Sequence, residues 1–285
     1  MQRSDFRFFE RLRVRWAEID AQKIVFNGHY LMYLDTAIAG YWRALGIPYA
    51  ETMARFDGDL FVRKAELEYM ASARYDDVLD IGIRCARVGT SSSMFLGGVF
   101  RDQQLLVSGA LTYVFADPHG VASKPVPREL RELFEGFERG ESMVDVRVGT
   151  WSALGADARP IRTQVFIAEQ KIPADMEWDD ADDAAVHAVA YNRLGQALAT
   201  GRMLEHVPGV AKIGRMAVAA GARHSGVGRA VLEALLGAAR QRGEREAVLH
   251  AQLSAAPFYE RAGFVRRGPE FDEAGIAHVE MLRVL

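Results

Sequence analysis

Hydrophobic positions in the N-terminal half of the chain follow two different periods. Between residues 28 and 45, apolar side chains recur at helical spacing, and Gly46 and Pro48 end the predicted helix. The apolar face of this helix consists of Leu31, Leu34, Ile38, Tyr41, Trp42 and Leu45. Segments rich in Val, Ile, Leu, Phe and Tyr predict strands between turn residues. These strands are residues 8–16, 60–70, 78–88, 92–101 and 105–117.

One long helix with a run of antiparallel strands predicts an α+β fold for this half. Pro125 and Pro127 precede a short charged helix at residues 128–139. The rest of the chain has another order of elements and is not a repeat of the first half. Its predicted strands are residues 143–151, 186–192, 197–205, 212–219, 247–252 and 276–284. Its predicted helices are one that ends at Gln170, one at 227–242 and one at 255–261, and residues 175–183 form an acidic loop.

A short polar break, Gly140-Glu141-Ser142, separates the two patterns. The chain has 285 residues, which is enough for two domains of about 100–200 residues each. The break therefore predicts one domain at residues 1–140 and a second at residues 143–285.

Charge and cysteine content exclude several classes of protein. Up to Gly140 there are 18 basic against 19 acidic residues, and beyond it 17 against 19. Neither half is basic, so we expect neither nucleic acid nor a membrane surface as partner. Cys85 is the sole cysteine, which excludes a disulfide framework and a cysteine-based zinc site, and we expect no metal. No apolar run approaches a membrane span and the N-terminus lacks a signal-peptide core, so we expect a cytoplasmic protein.

The first candidate site lies where the N-terminal strand gives way to the long helix. Asp20 precedes the helix start at Asn27 and Gly28. Free N–H groups at a helix N-terminus can polarise a thioester carbonyl and hold the oxyanion that forms on attack. A carboxylate beside them can attack the same carbon or deprotonate water. An Asp in this position is also a common capping or turn residue.

The stretch EIDAQKIVFNGHYLMYLD, residues 18–35, resembles the active-site signature of the 4-hydroxybenzoyl-CoA thioesterase family of hotdog proteins. The run ARYDDVL at residues 73–79 is similar to the strand entry of the same family. The resemblance implies that Asp20 is the catalytic carboxylate and that Asn27 and Gly28 supply the oxyanion N–H. It also implies a homo-oligomer, a dimer or tetramer with sites at the subunit interface.

One position departs from that family, because Lys23 stands where a glycine is usual. Glycine there serves an unusual backbone angle or a close approach by ligand. Lys23 alters the loop or reaches a phosphate of CoA. Nearby, we expect Glu18 to be a solvated charge at the strand end and His29 to be a first-turn helix residue.

The second candidate site is a loop between a predicted strand and a 15-residue amphipathic helix. Gly226 and Gly228 allow a bulky anion to approach the backbone, and the helix start favours phosphate oxygens. Arg223 adds a positive charge. The pattern R-x-x-G-x-G is weak alone, but the flanking elements and a downstream F-Y-x-x-x-G-F run strengthen it.

Together these features resemble the GNAT acetyltransferases. The resemblance implies that the loop binds the CoA pyrophosphate, through Arg223, His224, Ser225, Gly226, Val227 and Gly228. It implies that the preceding strand splays and pairs with pantetheine through Met216, Ala217 and Val218. It also implies that Tyr259 protonates the departing thiolate, a role that suits a phenol with an ordinary pKa of about 10. Core packing is the alternative role for Tyr259.

Two further features resemble one branch of the GNAT acetyltransferases. They are the V-F-x-x-E-Q run at residues 165–170 and the terminal strand with His278. His278 either contacts the acceptor or fills a strand position. No general base is apparent. Glu177, Asp179 and Asp180 could attract an amine, although a solvated charge cluster is the expected role of this loop.

These observations support a bifunctional enzyme that uses acyl-CoA, acetyl-CoA and an amine acceptor as substrates. The alternative is an acyl-CoA-binding or sensing protein in which one or both domains are inactive. Hydration of an enoyl-CoA is disfavoured, because the N-terminal half shows no His/Asp pair at the spacing that this reaction needs.

Overall fold

The computed structural model describes residues 1–120 and 122–285, and the chain divides into two compact units. The first unit is Met1–Met143 and the second is Val144–Leu285. The polar break at residues 140–142 lies at the end of the first unit. No helix in the described part of the chain is both long and apolar enough to cross a membrane.

The first unit is one long helix on a five-stranded antiparallel sheet, which confirms the α+β prediction. The strands are β1 (Phe8–Arg13), β2 (Asp59–Tyr69), β3 (Val78–Val88), β4 (Ser92–Arg101) and β5 (Gln104–Ala116), in the order β1-β3-β4-β5-β2. The helices are α1 (Asn27–Ala44), α2 (Tyr49–Arg55) and α3 (Arg128–Glu138). The sequence did not predict α2, since Pro48 was interpreted only as a stop signal, whereas it also precedes the first turn of α2.

The centre of α1 rests on a pair of glycines in the sheet. Gly97 of β4 and Gly109 of β5 are cross-strand partners, and Leu34 of α1 lies over both. A Cβ atom at Gly97 would lie 2.4 Å from Leu34 Cδ2, and one at Gly109 would lie 2.6 Å from Leu34 Cδ1. The absence of two side chains therefore creates the depression that lets α1 approach the sheet closely.

The second unit is a seven-stranded sheet with helices on its faces. Its strands are β6 (Val144–Gly149), β7 (Val186–Asn192), β8 (Ala197–Val207), β9 (Val210–Val218), β10 (Glu246–Gln252), β11 (Val265–Glu273) and β12 (Ile276–Val284). They lie in the order β11-β12-β10-β9-β8-β7-β6, and β9 and β10 are the parallel pair. The helices are α4 (Trp151–Arg162), α5 (Ala174–Glu177), α6 (Ala181–Ala184), α7 (Val227–Gln241) and α8 (Ala256–Arg261).

Three features of this unit differ from the sequence prediction. The unpredicted strand β11 carries charged and mostly exposed side chains, so it lacks the alternation that reveals a half-buried strand, and it lies at the sheet edge. The acidic loop contains the short helices α5 and α6. The helix that ends near Gln170 consists of α4 followed by a π-helix, Thr163–Glu169. Pro160 lies inside α4, and a proline removes one intrahelical hydrogen bond where the helix widens.

Helix α7 and the π-helix cover opposite faces of the sheet. Buried Val231, Leu235 and Leu249 belong to one core cluster that α7 covers. Ala217 of β9 instead packs against Val165 and Phe166 of the π-helix. The strand β9 is therefore enclosed on both faces, which fixes the position of the segment expected to bind pantetheine.

The packing of Leu34 in α1 against Gly97 in the sheet can be tested with a double-mutant cycle. We expect Gly97→Ala to lower the free energy of unfolding of the first unit by about 1–3 kcal/mol, because the new methyl group meets Leu34. We expect Leu34→Ala to cost about 3–5 kcal/mol, because it leaves a cavity. In the double variant the methyl group occupies part of that cavity, so the combined loss measured by denaturant unfolding should be smaller than the sum. Additive losses would show that the two residues do not meet.

Candidate active sites

The loop that carries Asp20 is a tight reversal in front of α1. The Asp20 N–H donates to the Ile24 carbonyl at 2.9 Å, and the Lys23 N–H donates to the Asp20 carbonyl at 3.0 Å. The Phe26 N–H donates to the Glu18 carbonyl at 2.9 Å, which brings the helix start back beside the preceding turn. One oxygen of the Asp20 carboxylate accepts from the Gln22 N–H at 2.8 Å. The other oxygen has no partner within the described residues, so it can act on a substrate.

Lys23 adopts the left-handed backbone conformation, with φ of 60°. Glycine adopts this angle without steric cost, whereas other residues adopt it with some strain. The preference of the resembled family for glycine at this position therefore has a backbone explanation in this loop. The Lys23 side chain is exposed, and the hydrogen bonds of the turn form with lysine at this position.

The helix start combines Asn27, Gly28 and the ring of Phe26. Helix α1 begins at Asn27, as the sequence predicts, and the first N–H groups of a helix have no partner within it. A Cβ atom at Gly28 would lie 2.9 Å from the Phe26 ring, so the glycine lets that ring lie against the first turn. The arrangement leaves N–H groups beside the loop of Asp20, as an oxyanion site requires.

The expectation that Glu18 is a solvated charge is wrong. Its side chain is buried, with the residue 3% exposed, and it accepts a hydrogen bond from the Tyr33 hydroxyl at 2.8 Å. The Arg15 N–H donates to the same carboxylate oxygen at 2.7 Å, and the Arg15 guanidinium pairs with the other oxygen. Burial raises the pKa of Glu18, but the hydrogen bonds from Arg15 and Tyr33 outweigh burial and hold it below its usual value. Glu18 therefore fastens the turn to α1, a role that local sequence does not reveal.

In the second unit, β9 and β10 separate along their length. The strands pair from Val210 and Glu246 as far as Ile213 and Leu249, and then no further pairs form. Both strands continue beyond this point, β9 to Val218 and β10 to Gln252. Beyond this point no described strand pairs with the β10 side of β9 at Met216, Ala217 and Val218, which leaves that side open to an extended ligand. The Val218 carbonyl accepts a hydrogen bond from Arg223 Nε at 3.3 Å.

A bulge accompanies the splay on the other side of β9. The register with β8 shifts between the pairs Thr200–Ala217 and Arg202–Gly214, so Arg215 and Met216 both lie opposite Gly201. Arg215 has φ of 51°, which is the left-handed region. The extra residue bends β9 and increases its twist, which turns the strand away from β10.

The loop after β9 presents a helix start of the kind that binds phosphate. His224 and Gly226 have φ of 65° and 87°, and Gly226 is the residue before α7. A Cβ atom at Gly226 would meet nothing within 4 Å, so the glycine serves the backbone angle. A Cβ atom at Gly228 would lie 3.1 Å from Val218, so that glycine serves close packing of α7 on β9. Ser225 donates to the Ala222 carbonyl at 2.6 Å and stiffens the loop.

Two residues at the end of the π-helix contact the two strands that separate. Glu169 contacts the loop that follows β9, and Gln170 contacts the end of β10. Glu169 accepts from Arg223 through both carboxylate oxygens, at 2.8 and 2.5 Å. The neighbouring Gln170 accepts a hydrogen bond from the Gln252 amide, at the end of β10, at 3.1 Å. These contacts explain the V-F-x-x-E-Q pattern, because its last two residues connect the helix to Arg223 in the loop after β9 and to Gln252 of β10.

Tyr259 lies on α8, directly after β10, and is 8% exposed. Its ring contacts Phe258 and Phe264 edge-on, with centroids 4.9 and 6.0 Å apart. Burial raises the pKa of Tyr259 to about 12, so the phenol is protonated at neutral pH. Within the described residues its hydroxyl has no hydrogen-bond partner, so packing and proton donation are compatible roles for this residue.

The expectation of a solvated acidic loop is wrong for Glu177 and Asp182, which are both buried. Arg162 is buried and donates to Glu177 at 2.5 Å and to Asp182 at 2.8 Å. Arg202 bonds to Asp182 and, through both carboxylate oxygens, to Asp179. Burial raises the pKa of Glu177, and the pairing with Arg162 opposes this change. The loop is thus held by a buried ion network, while Asp180 stays exposed.

This network continues to the bulge of β9. The Arg215 guanidinium lies 3.1 Å from the second oxygen of Glu177 and 3.3 Å from Asp179. The guanidinium of Arg162 lies over the rings of Trp151 and Trp178, 5.3 and 4.6 Å from their centroids. The acidic loop is therefore tied to the bulge of β9, and arginines neutralise its residues Glu177, Asp179 and Asp182.

No group of three or more His, Cys, Asp or Glu side chains in residues 1–120 and 122–285 could hold a metal ion.

Comparison with known proteins assigns each half of the chain. A family model described as an acetyltransferase (GNAT) domain matches residues 158–285, and one described as the thioesterase superfamily matches residues 22–108. The Uncharacterized N-acetyltransferase YjcF of Bacillus subtilis (strain 168) is 34% identical over 128 residues, which are 45% of this chain and 90% of that protein.

Solved structures resemble one half each. An acyl-CoA N-acyltransferase from Pseudomonas aeruginosa is 32% identical and covers 49% of this chain and 99% of its own, with a TM-score of 0.44. A thioesterase superfamily protein from Jannaschia sp. CCS1 is 25% identical and covers 45% of this chain and 90% of its own, with a TM-score of 0.42. The two family models and the 34% identical relative confirm both resemblances seen in the sequence: the chain belongs to the GNAT acetyltransferases through its C-terminal half, and its N-terminal half carries a hotdog domain of the thioesterase superfamily.

Proposed function

We propose that the protein is a bifunctional CoA-dependent enzyme. The N-terminal unit hydrolyses an acyl-CoA thioester, and the C-terminal unit transfers the acetyl group of acetyl-CoA to an amine. The observation that carries the proposal is the splay of β9 from β10, which ends at a left-handed loop and a free helix start. The unpaired side of β9 suits the amide groups of pantetheine, and the helix start that follows suits the pyrophosphate. The two features occur in the same order as these two parts of CoA.

In the N-terminal unit, Asp20 is the proposed catalytic carboxylate. Its unpaired oxygen attacks the thioester carbon directly or takes a proton from the attacking water. The N–H groups of the first turn, at Asn27 and Gly28, hold the oxygen on which negative charge develops. Glu18 acts indirectly, because it fixes the turn that presents Asp20 to the helix start.

We propose that this site takes an acyl group larger than acetyl, such as a medium-chain or aromatic group. Each buried methylene contributes about 0.8 kcal/mol, so an apolar pocket discriminates strongly over a few carbons. Hydrolysis of acetyl-CoA would remove the donor that the other unit needs.

In the C-terminal unit, Met216, Ala217 and Val218 would pair with the amide groups of pantetheine. Arg223 and the N–H groups from Val227 onward would hold the pyrophosphate. Arg223 has N–H groups beyond those that Glu169 accepts, so it can bind both. Tyr259 would give its proton to the sulfur as the carbon–sulfur bond breaks, and its raised pKa keeps that proton in place until then.

We also propose that the hotdog domain forms at least a dimer. Strand β2 is the edge of its sheet, and no described strand pairs with its outer side. Phe61, Val62 and Tyr69 of β2 are about half exposed. A long edge strand with exposed apolar side chains is a surface that pairs with another chain.

Replacement of Asp20 tests the hydrolysis site. We expect Asp20→Asn to slow release of free thiol from hexanoyl- and benzoyl-CoA by about 10²–10⁴-fold, because the amide cannot act as base or nucleophile. The unfolding temperature should stay nearly unchanged, since the amide oxygen can still accept from the Gln22 N–H. Wild-type rates in this variant would remove Asp20 from the mechanism.

The matched control for that experiment is Lys23→Gly. Glycine relieves the left-handed angle at this position, so we expect hydrolysis to be retained. Acetyl-CoA should be the poorest of the three thioesters in the wild-type protein. If Asp20-dependent hydrolysis is fastest with acetyl-CoA, the proposed division of substrates is wrong.

Two variants separate binding from chemistry in the acetyltransferase unit. Gly226→Val should weaken acetyl-CoA binding, because a β-branched residue in the left-handed region strains the loop by about 1–3 kcal/mol. Tyr259→Phe should leave the calorimetric Kd unchanged and lower kcat by about 10²–10⁴-fold, because it removes only the proton donor. Equal losses of affinity in the two variants would show that Tyr259 is structural.

The edge of β2 can be tested by light scattering. We expect the wild-type protein to have at least twice the chain mass, and Phe61→Lys to shift it towards monomer, because charge at an edge strand opposes pairing. Val207→Lys, at an exposed position of β8 in the other unit, is the matched control and should keep the wild-type mass. A monomeric wild-type protein with full thioesterase activity would contradict the proposed dimer.

A further inference from the structure

The C-terminal unit has a polar face that the transfer mechanism above does not use. Ala247, Leu249 and Ala251 of β10 belong to the core that α7 covers. Alternation along a strand therefore places His250 and Gln252 on the opposite face. The contact of Gln252 with Gln170 places the π-helix on that same face.

His278 lies on this opposite face next to Gln252. The two residues are cross-strand partners between β10 and β12, and His278 is also the partner of Phe271 on β11. The His278 and Phe271 rings stack, with centroids 5.9 Å apart and an interplanar angle of 23°. These contacts hold the imidazole one strand away from the splay of β9 and β10.

The hydrogen bond of His278 determines which ring nitrogen carries the proton in the neutral form. Its Nδ1 atom lies 2.8 Å from the Ile276 carbonyl oxygen. A carbonyl oxygen only accepts, so Nδ1 must donate, and Nε2 then carries the lone pair. The Ile276 carbonyl and the Phe271 ring thus fix the orientation of the imidazole, with Nε2 left as the nitrogen that can accept a proton.

Two acidic side chains of the neighbouring loop, Glu177 and Asp179, are already paired with arginines. The oxygens of Glu177 are occupied by Arg162 and Arg215. Those of Asp179 are occupied by Arg202 and Arg215. The oxygens of both carboxylates already accept from arginines, whereas Nε2 of His278 has no partner within the described residues.

We propose that His278 is the general base of the acetyl transfer, an inference that rests on the proposed function of this unit. Its Nε2 takes one proton from the primary ammonium group of the acceptor and passes it to water. The amine nitrogen then attacks the thioester carbon, the carbon–nitrogen bond forms, and the carbon–sulfur bond breaks with its electron pair on sulfur. Tyr259 protonates the sulfur, and the second proton lost by the nitrogen restores the phenol.

Other titratable groups face the same surface and bear on any pH profile. His250 lies 3.4 Å from Glu273, and Glu280 pairs with Arg267 at 2.5 Å. From the π-helix side, Glu169 is paired with Arg223. Because these groups can also titrate, the test compares two classes of nucleophile at one pH and does not depend on a pH profile.

The experiment uses the full-length protein with acetyl-CoA and two kinds of acceptor at neutral pH. Tyramine, spermidine and Nα-acetyl-lysine carry ammonium groups that must lose a proton, whereas hydroxylamine is already largely unprotonated. We expect His278→Gln to lower kcat with the ammonium acceptors by about 10²–10⁴-fold. Transfer to hydroxylamine and the Kd for acetyl-CoA should match the wild type. Glutamine is chosen because its amide can still donate to the Ile276 carbonyl.

His206→Gln, which changes an exposed imidazole on β8, is the control and should behave as wild type with both kinds of acceptor. Unchanged transfer to the ammonium acceptors in His278→Gln would overturn the inference, and so would an equal loss with hydroxylamine. Wild-type transfer to hydroxylamine alone would also overturn it, because no protonated acceptor would then need a base. A wild-type protein that transfers to neither kind of acceptor would instead overturn the proposed function.

Discussion

The separation of β9 from β10 is the constraint on which the C-terminal unit depends. Main-chain N–H and C=O groups in a sheet need partners, and a strand that leaves its neighbour exposes a row of them. The bulge at Arg215 and Met216 turns β9, and the core under α7 holds β10 in place. An extended ligand with amide groups satisfies such a row, and the Arg223–Gly228 loop lies at the end of the same strand.

The buried ion network gives the splay its rigidity. Three arginines, Arg162, Arg202 and Arg215, balance three carboxylates, Glu177, Asp179 and Asp182. A buried charge without a partner is costly, so the network holds its members in one arrangement. Since Arg215 is itself a residue of the bulge, the acidic loop and β9 are ordered together.

In the N-terminal unit, the fold places the Asp20 loop beside the start of α1. Glu18 bonds to Tyr33 of α1 and to the turn at Arg15, so the loop between them has little freedom. Leu34 in turn packs α1 against Gly97 and Gly109 of the sheet. The position of Asp20 thus depends on a hydrogen bond to the helix and on a packing contact beneath it.

The sequence by itself determined the elements whose signals are local. Periodicity located α1 and α7, the polar break lay at the end of the first unit, and short motifs identified Asp20, the Arg223–Gly228 loop and Tyr259 as candidates. Tertiary structure alone decided which charges are buried, because burial depends on residues distant in the chain. From the sequence, Glu18 and Glu177 are expected to be surface charges, whereas the fold brings Tyr33 to Glu18 and Arg162 to Glu177. Likewise, β11 has no apolar alternation and forms only by pairing with β12. His278 lies beside Gln252 and Phe271 only because β12 pairs with β10 and β11.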